Sequence, residues 1–160
     1  MAIRAGDKVP DVKMTEMVDG RPTQVSLAEL SKGKRVVVFA VPGAFTPTCS
    51  MKHLPGFVDQ AAALRAKGVD EIACVSVNDA FVMDALCKYS NAGGTIHMLA
   101  DGNGEFTRAV GLALDASGFG MGERSQRYAM ILRDGSVEAV MIEPGPGLSA
   151  SSADAVLARL

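Results

Sequence analysis

The segment Arg35-Val36-Val37-Val38-Phe39-Ala40-Val41 indicates the fold class of this chain. A continuous run of β-branched and aromatic residues is typical of a strand buried on both faces of a central sheet. A strand with one face in water would instead alternate apolar and polar side chains. We therefore predict a central sheet that contains this strand and is covered on both sides.

A loop rich in proline and glycine, PGAFTPT at residues 42–48, follows the strand. Apolar residues then recur at helical spacing from residue 57 until Gly68 interrupts the pattern. Cys49 is therefore predicted to lie in the first turn of a helix. Pro55 falls inside the same pattern and is predicted to kink this helix, because proline has no N–H for the helical hydrogen bond.

The remaining pattern alternates strands with helices. We predict strands at 71–77 and 95–100, a helix at 79–89, a hairpin of strands 127–133 and 137–143, a short helix capped by Ser26 and Glu29, and a C-terminal helix beginning near Ser151 with Ala155, Val156 and Leu160 buried. This order predicts an α/β fold, a thioredoxin-like three-layer sandwich with a central mixed β-sheet flanked by helices. Internal repeats and linkers are absent from the sequence, so residues 1–160 are expected to form one domain.

Composition limits the classes of partner. The chain has 160 residues, 48% of them apolar, and a net charge of −2. Its lysines and arginines are scattered, so neither a nucleic-acid partner nor a membrane surface is expected. The first residues do not form the apolar run of a secretory signal, and no stretch of about 18 apolar residues occurs. We expect a cytoplasmic location.

Three cysteines, Cys49, Cys74 and Cys87, are widely spaced along the chain. An odd number at such spacing argues against a framework of structural disulfides. The sequence has no Cys-x-x-Cys pair and only two histidines, so a zinc site or a dithiol electron carrier has little support. We expect thiol chemistry that uses no metal and no cofactor.

Cys49 is the candidate nucleophile. An ordinary thiol, with a pKa of about 8.5, is mostly protonated at neutral pH, whereas the thiolate is the species that attacks. The start of a helix offers unpaired N–H groups and partial positive charge, and a guanidinium would add to both. Thr46 lies close enough in sequence to bond the thiolate, and Pro42 and Pro47 stiffen the loop. The alternatives are an inert buried cysteine and a threonine that only shapes a turn.

Three stretches of the chain resemble a known family. The run PGAFTPTCS, residues 42–50, resembles the Pro-x-x-x-Thr-x-x-Cys signature of peroxiredoxins. The runs HLPGF, residues 53–57, and SVNDAFV, residues 76–82, are similar to the type II, or peroxiredoxin-five-like, subgroup. The resemblance extends over nearly the whole chain.

This resemblance implies a set of site residues. Cys49 corresponds to the peroxidatic cysteine, with Thr46 and Pro42 as its partners in the loop and a distant arginine completing the pocket. Arg127 matches that arginine, whereas Arg124 is displaced by three residues. Arginine suits the role because it stays charged and presents several donors to sulfur and peroxide.

The resemblance also implies the activity: reduction of hydrogen peroxide and small organic hydroperoxides through a cysteine sulfenic acid, in antioxidant defence and redox homeostasis. It implies a homodimer formed through loops beside the site. One alternative is a peroxide sensor or redox-regulated chaperone that uses the same thiol. Another is a thioredoxin-like reductase, which would need a second cysteine near Cys49.

The thiol that recycles the sulfenic acid is left open by the sequence. Cys74 is a possible resolving cysteine, because relatives carry a cysteine at this strand position, but it could equally be an inert buried residue. Cys87 is a weaker choice, on a helix face away from Val82, Leu86 and Tyr89. Otherwise glutathione with glutaredoxin, or thioredoxin, would attack the oxidised cysteine directly.

Further residues near the site have two interpretations. Arg127 could instead form a surface pair with Glu123 or Asp134. His53, four residues after Cys49, could be catalytic, structural or interfacial. An apolar collar around the site, or else ordinary core, is predicted for Phe45, Leu114, Phe119 and Met121.

Overall fold

A computed structural model describes residues 1–48 and 52–160. The strands are β1 Lys13–Val18, β2 Arg21–Ser26, β3 Arg35–Val41, β4 Glu71–Ser76, β5 His97–Ala100, β6 Ala113–Asp115, β7 Glu123–Ser125, β8 Tyr128–Arg133 and β9 Ser136–Ile142. The helices are α1 Leu27–Leu30, α2 Leu54–Asp59, α3 Ala61–Ala66, α4 Ala80–Tyr89, α5 Glu105–Ala109 and α6 Ala153–Leu157.

The central sheet has seven strands in the order β2-β1-β5-β4-β3-β8-β9. Strands β3, β4 and β5 are parallel, and the outer strands pair antiparallel. Strands β6 and β7 form a separate two-stranded sheet. The predicted thioredoxin-like fold with a mixed sheet is confirmed.

Strand β3 contributes to two apolar clusters, one on each face of the sheet. Val37 and Phe39 pack on one face with residues of α2, α3, α4 and α6. Val36 and Val38 pack on the other face with residues of α1 and α5. All four side chains are fully buried. Successive side chains of a strand point to opposite faces of the sheet, so a strand buried on both faces has a continuous apolar run.

Several predicted boundaries agree with the structure. The predicted strand 35–41 is β3 without change, and α4 begins after Asp79, whose carboxylate accepts a hydrogen bond from the Val82 N–H. The predicted hairpin is β8 and β9, joined by Asp134 and Gly135 with positive φ of 48° and 79°. This backbone geometry fits the twist of a two-residue hairpin.

Other details of the sequence prediction were wrong. The Ser26 hydroxyl makes no cap hydrogen bond to α1, because it donates instead to the Asp11 carboxylate at 2.6 Å. Helix α6 buries Ala153 and Val156, whereas Ala155 and Leu160 are only half-buried.

Pro55 is the second residue of α2. Residues 52–53, just before this helix, have π-helical geometry. The break between α2 and α3 falls at Gln60, which the pattern did not predict.

Within the described ranges, none of the helices combines the length and apolar character that crossing a bilayer requires.

Candidate active site

A cavity of about 650 Å³ lies beside the end of β3. Pro42, Thr46 and Arg127, which the sequence assigns to one site, all line it. The rest of its wall is formed by Pro47, Leu114, Ala116, Phe119, Met121, Gln126, Glu143, Pro144, Gly145 and Pro146. The fold therefore brings together three residues that are up to 85 positions apart in the chain (127 − 42).

The register of the strands explains why these three residues lie close together. Strand β3 runs antiparallel to β8, and Ala40 pairs with Tyr128. The residue before Tyr128 is Arg127, so it lies at the sheet edge where β3 ends and the 42–48 loop begins. Cys49 lies outside the described residues, and its assignment as the nucleophile remains a prediction from the sequence.

The Thr46 hydroxyl has a defined direction. It donates a 3.0 Å hydrogen bond to the Gly43 carbonyl oxygen within the loop. A hydroxyl has one hydrogen, so the Thr46 oxygen is left as an acceptor toward any other partner.

Asn78 fixes the loop from the neighbouring strand. Its Oδ1 accepts hydrogen bonds from the Ala44 N–H at 3.0 Å and from the Ser76 hydroxyl at 2.6 Å. No role for Asn78 was predicted from the sequence. A polar residue just past the carboxyl end of a parallel strand is the signal that could have found it, because such ends gather at one edge of a sheet.

Arg127 is held by a buried histidine. Its Nη1 donates to Nδ1 of His53 across 2.8 Å. A guanidinium has no acceptor, so Nδ1 must carry the lone pair and Nε2 the hydrogen. Nε2 then donates to the Ser151 carbonyl oxygen at 2.9 Å. The structure thereby indicates which tautomer of His53 is present.

Burial is the main cause that lowers the pKa of His53, to about 4. The hydrogen bond with the Ser151 carbonyl acts in the opposite direction, and the positive charge of Arg127 lowers the pKa further. His53 is therefore neutral at pH 7, as its acceptor role toward Arg127 requires. Its contacts are those of a residue that positions the arginine.

The surface-pair alternative for Arg127 does not fit the structure. Glu123 pairs with Arg108 at 2.8 Å, and the Asp134 carboxylate accepts from the Gly33 N–H at 2.7 Å. Arg127 itself is only 8% exposed.

Arg124 uses its donors away from the cavity. Its Nε donates to the Met121 carbonyl oxygen at 2.9 Å, and its Nη1 donates to the Val77 carbonyl oxygen at 2.8 Å. It anchors the turn before β7 to the chain segment after β4. Arg127, and not Arg124, lines the cavity.

An apolar collar borders the cavity. Leu114, Phe119 and Met121 line it, and Phe119 is 87% exposed, so these residues are not ordinary core. Phe45 differs from the prediction, because it is absent from the lining and its ring makes an edge contact with Tyr89, at 5.6 Å between centroids.

The two described cysteines lie in the core or against it. Cys74 in β4 is fully buried, between Phe39 of β3 and Met98 of β5 in the sheet register. Cys87 in α4 is half-buried, and burial, followed by the charge of Asp84, raises its pKa.

Helix α4 buries Ala80, Met83 and Leu86, whereas Tyr89 is 67% exposed. The half-buried Cys87 side chain packs against the same core cluster.

Comparison with known proteins shows the family of this chain. The redoxin family model matches residues 4–157, and the chain belongs to this family. Peroxiredoxin-2E-2, chloroplastic, of Oryza sativa subsp. japonica is 50% identical over 99% of this chain and 72% of its own length. The structure of reduced Prx3 from Vibrio vulnificus with hydrogen peroxide is 48% identical and has a TM-score of 0.94, with 98% of each chain covered.

Within this family the chain is a peroxiredoxin of type II, the peroxiredoxin-five-like group, and hence a thiol-dependent peroxidase with an antioxidant function. A Burkholderia cenocepacia structure provisionally described as a thioredoxin reductase is also similar, with a TM-score of 0.97 and 46% identity over 100% of this chain and 99% of its own. A dithiol reductase needs two neighbouring cysteines, and Ser50, Met51 and Lys52 follow Cys49 here.

Proposed function

We propose that the Cys49 thiolate reduces hydrogen peroxide and small organic hydroperoxides at the cavity bordered by Pro42, Thr46 and Arg127. The sulfur forms a bond to one peroxide oxygen, the O–O bond breaks, and the other oxygen leaves as water or an alcohol after taking up a proton. Cys49 is thereby oxidised to sulfenic acid. The observation that carries the proposal is the convergence of Thr46 and Arg127 on one cavity.

Each of these two residues would contribute differently to the transition state. Thr46 would accept the peroxide O–H, because its own hydrogen is held by Gly43. Arg127 would donate to the oxygen on which negative charge develops, an interaction that strengthens as the O–O bond breaks. The exposed apolar collar of Leu114, Phe119 and Met121 supports the acceptance of alkyl hydroperoxides as well as hydrogen peroxide.

Rapid mixing of the reduced protein with hydrogen peroxide tests the chemistry. We expect fast loss of one thiol per chain, and no fast loss in Cys49→Ser. A rate near that of free cysteine would overturn the proposal.

An external thiol is proposed to recycle the sulfenic acid. Glutathione would displace water to form a mixed disulfide on Cys49, and glutaredoxin with a second glutathione would release the thiol. Thioredoxin is the alternative donor. The burial of Cys74 and the raised pKa of Cys87 support this scheme, because a resolving thiolate must be accessible and ionised.

The double variant Cys74→Ala, Cys87→Ser tests the recycling route. We expect steady-state turnover with glutathione and glutaredoxin to be retained. Loss of turnover in the double variant, with unchanged Cys49 oxidation in a single mixing step, would point to internal resolution. Each single variant identifies the cysteine responsible, and the same assay with thioredoxin ranks the two donors.

A homodimer in the cytoplasm is the proposed form. Phe45, Phe81 and Tyr89 are 46%, 69% and 67% exposed, and Phe45 belongs to the loop that carries Thr46. Exposed aromatic residues beside a site favour an interface. Sedimentation of the wild type and of Phe81→Ser would test the homodimer. A monomeric wild type would contradict it.

Imaging of the tagged chain in its host would test the proposed cytoplasmic location.

A further inference from the structure

A buried carboxylate at the end of β9 organises the segment that leads to α6. The Glu143 Oε2 accepts hydrogen bonds from the Ser151 N–H at 2.7 Å, the Ser151 hydroxyl at 2.7 Å and the Ser149 N–H at 2.9 Å. Glu143 is only 8% exposed. Burial alone would raise the pKa of Glu143, but the hydrogen bonds from Ser151 and Ser149 outweigh it and leave the pKa lowered. Glu143 is therefore a charged anchor for Ser151.

Ser151 in turn determines the state of the His53 ring. Its carbonyl oxygen takes the Nε2 hydrogen of His53, so the Nδ1 lone pair faces Arg127. The opposite tautomer would set an N–H of the ring against an N–H of the guanidinium, and the arginine would have to turn away. The position of one backbone carbonyl thus controls the acceptor that Arg127 meets.

We propose that Glu143, Ser151 and His53 form a hydrogen-bonded relay that positions Arg127 for peroxide reduction. The proposal rests on the role given to Arg127 above and extends it to residues that act through this arginine. One acceptor fixed on Nη1 restricts rotation of the guanidinium, and its remaining donors keep one direction. Pro144, Gly145 and Pro146 lie within the segment that the relay anchors, and they also line the cavity. The relay therefore ties the cavity wall to the arginine.

A packing role for His53 is the competing explanation. Its ring lies 4.9 Å from the Phe39 ring and 5.6 Å from the Phe57 ring, measured between centroids. Any substitution would disturb these contacts, so stability alone cannot distinguish the two roles. Two amide variants can, because each reproduces one ring nitrogen.

His53→Asn places an amide oxygen near the position of Nδ1 and keeps an acceptor for Arg127. His53→Gln extends its amide toward the position of Nε2, where it can donate to Ser151, and removes the acceptor for Arg127. Both variants lose the ring. We expect His53→Gln to slow Cys49 oxidation by about tenfold or more, as misplacement of a charged donor does, and His53→Asn by roughly threefold or less.

Stopped-flow oxidation by hydrogen peroxide measures the rate, and the pH dependence of Cys49 alkylation by iodoacetamide measures the acidity of the thiol. We expect the alkylation midpoint to move to higher pH in His53→Gln more than in His53→Asn. His97→Gln, at the other histidine, is the matched control and should leave both measurements unchanged. Equal rates and midpoints in the two His53 variants would overturn the proposal.

The far end of the relay is tested by Glu143→Ala. We expect slower oxidation, and we expect the double variant with His53→Gln to be no slower than His53→Gln alone, because members of one relay do not add. Additive losses, or a normal rate in Glu143→Ala, would remove Glu143 from the relay. Arg127→Gln distinguishes failure of the proposed function from failure of the relay. A normal oxidation rate in Arg127→Gln would refute the proposed function. A slow rate in Arg127→Gln together with a normal rate in His53→Gln would refute the relay alone.

Discussion

Thr46 and Gly43 close the loop after β3 on itself, because the Thr46 hydroxyl donates its hydrogen to the Gly43 carbonyl oxygen at 3.0 Å. Between them, Phe45 has a positive φ of 64°, which is unusual for a residue other than glycine. A side chain at Gly43 would lie 3.0 Å from the Met121 methyl group, so glycine also allows the close approach of the collar. The direction of the hydroxyl is a property of the loop itself.

Removal of the Thr46 hydroxyl should slow the oxidation of Cys49. Thr46→Val preserves the shape of the side chain and removes the acceptor, and we expect a loss of about 10- to 100-fold in the rate constant with hydrogen peroxide. Thr46→Ser keeps the hydroxyl and should lose only severalfold. Stopped-flow oxidation of both variants checks this, and equal rates for valine and serine would contradict the assigned role.

Removal of the Arg127 charge should slow the same step and make the thiol less acidic. We expect Arg127→Gln to lose about 30-fold or more in rate, which corresponds to about 2 kcal/mol for a charge-assisted hydrogen bond. Arg127→Lys retains the charge but not the forked donors, so its rate should be intermediate. The matched control is Arg124→Gln, in which anchoring of the turn before β7 is lost. A larger rate loss in Arg124→Gln than in Arg127→Gln would reverse the assignment.

Asn78 should matter for both stability and rate. Asn78→Ala removes the acceptor for the Ala44 N–H and the Ser76 hydroxyl, at an expected cost of about 1 to 3 kcal/mol of unfolding free energy. The freed loop should also present Thr46 less accurately. Urea unfolding and stopped-flow oxidation measure the two effects. Asn103→Ala, at an exposed position, is the control, and equal behaviour of the two variants would refute a special role for Asn78.

His97 should make stability depend on pH. Its ring nitrogens lie 2.9 Å from the Glu16 carboxylate in β1 and 2.5 Å from the Glu71 carboxylate in β4. The hydrogen bond with Glu16, then that with Glu71, outweighs burial and raises the pKa of His97 to about 9, from an ordinary 6.5. Because the folded state holds the proton more tightly, this stabilisation is complete below about pH 6.5 and is lost as the pH rises through about 9.

Urea unfolding of the wild type and His97→Gln at several pH values measures this contribution. We expect the difference in unfolding free energy to be on the order of 1 to 2 kcal/mol near pH 6, after allowance for the partial exposure of the ring, and to shrink by pH 10. A difference that is constant with pH would show that His97 is not charged in the folded protein.

Local patterns were sufficient for much of the fold. The apolar run of β3, the Asp-Gly turn between β8 and β9 and the start of α4 near Asp79 depend on residues within one element or turn, so the sequence predicted them. The hairpin of β1 and β2 was missed, although Asp19 and Gly20 are a turn pair of the same kind and both have positive φ. Its polar outer strand lacks the apolar alternation that marks other strands.

The sequence by itself determined the family signature at Pro42, Thr46 and Cys49, because these residues lie close together along the chain. Only the tertiary structure decided how Arg127 is held, since His53 and Ser151 reach it from separate parts of the chain through strand pairing and loop closure. The tautomer of His53 is likewise a tertiary property. Hydrogen bonds between distant side chains leave no period or spacing in a sequence, and their directions exist only once the chain has folded.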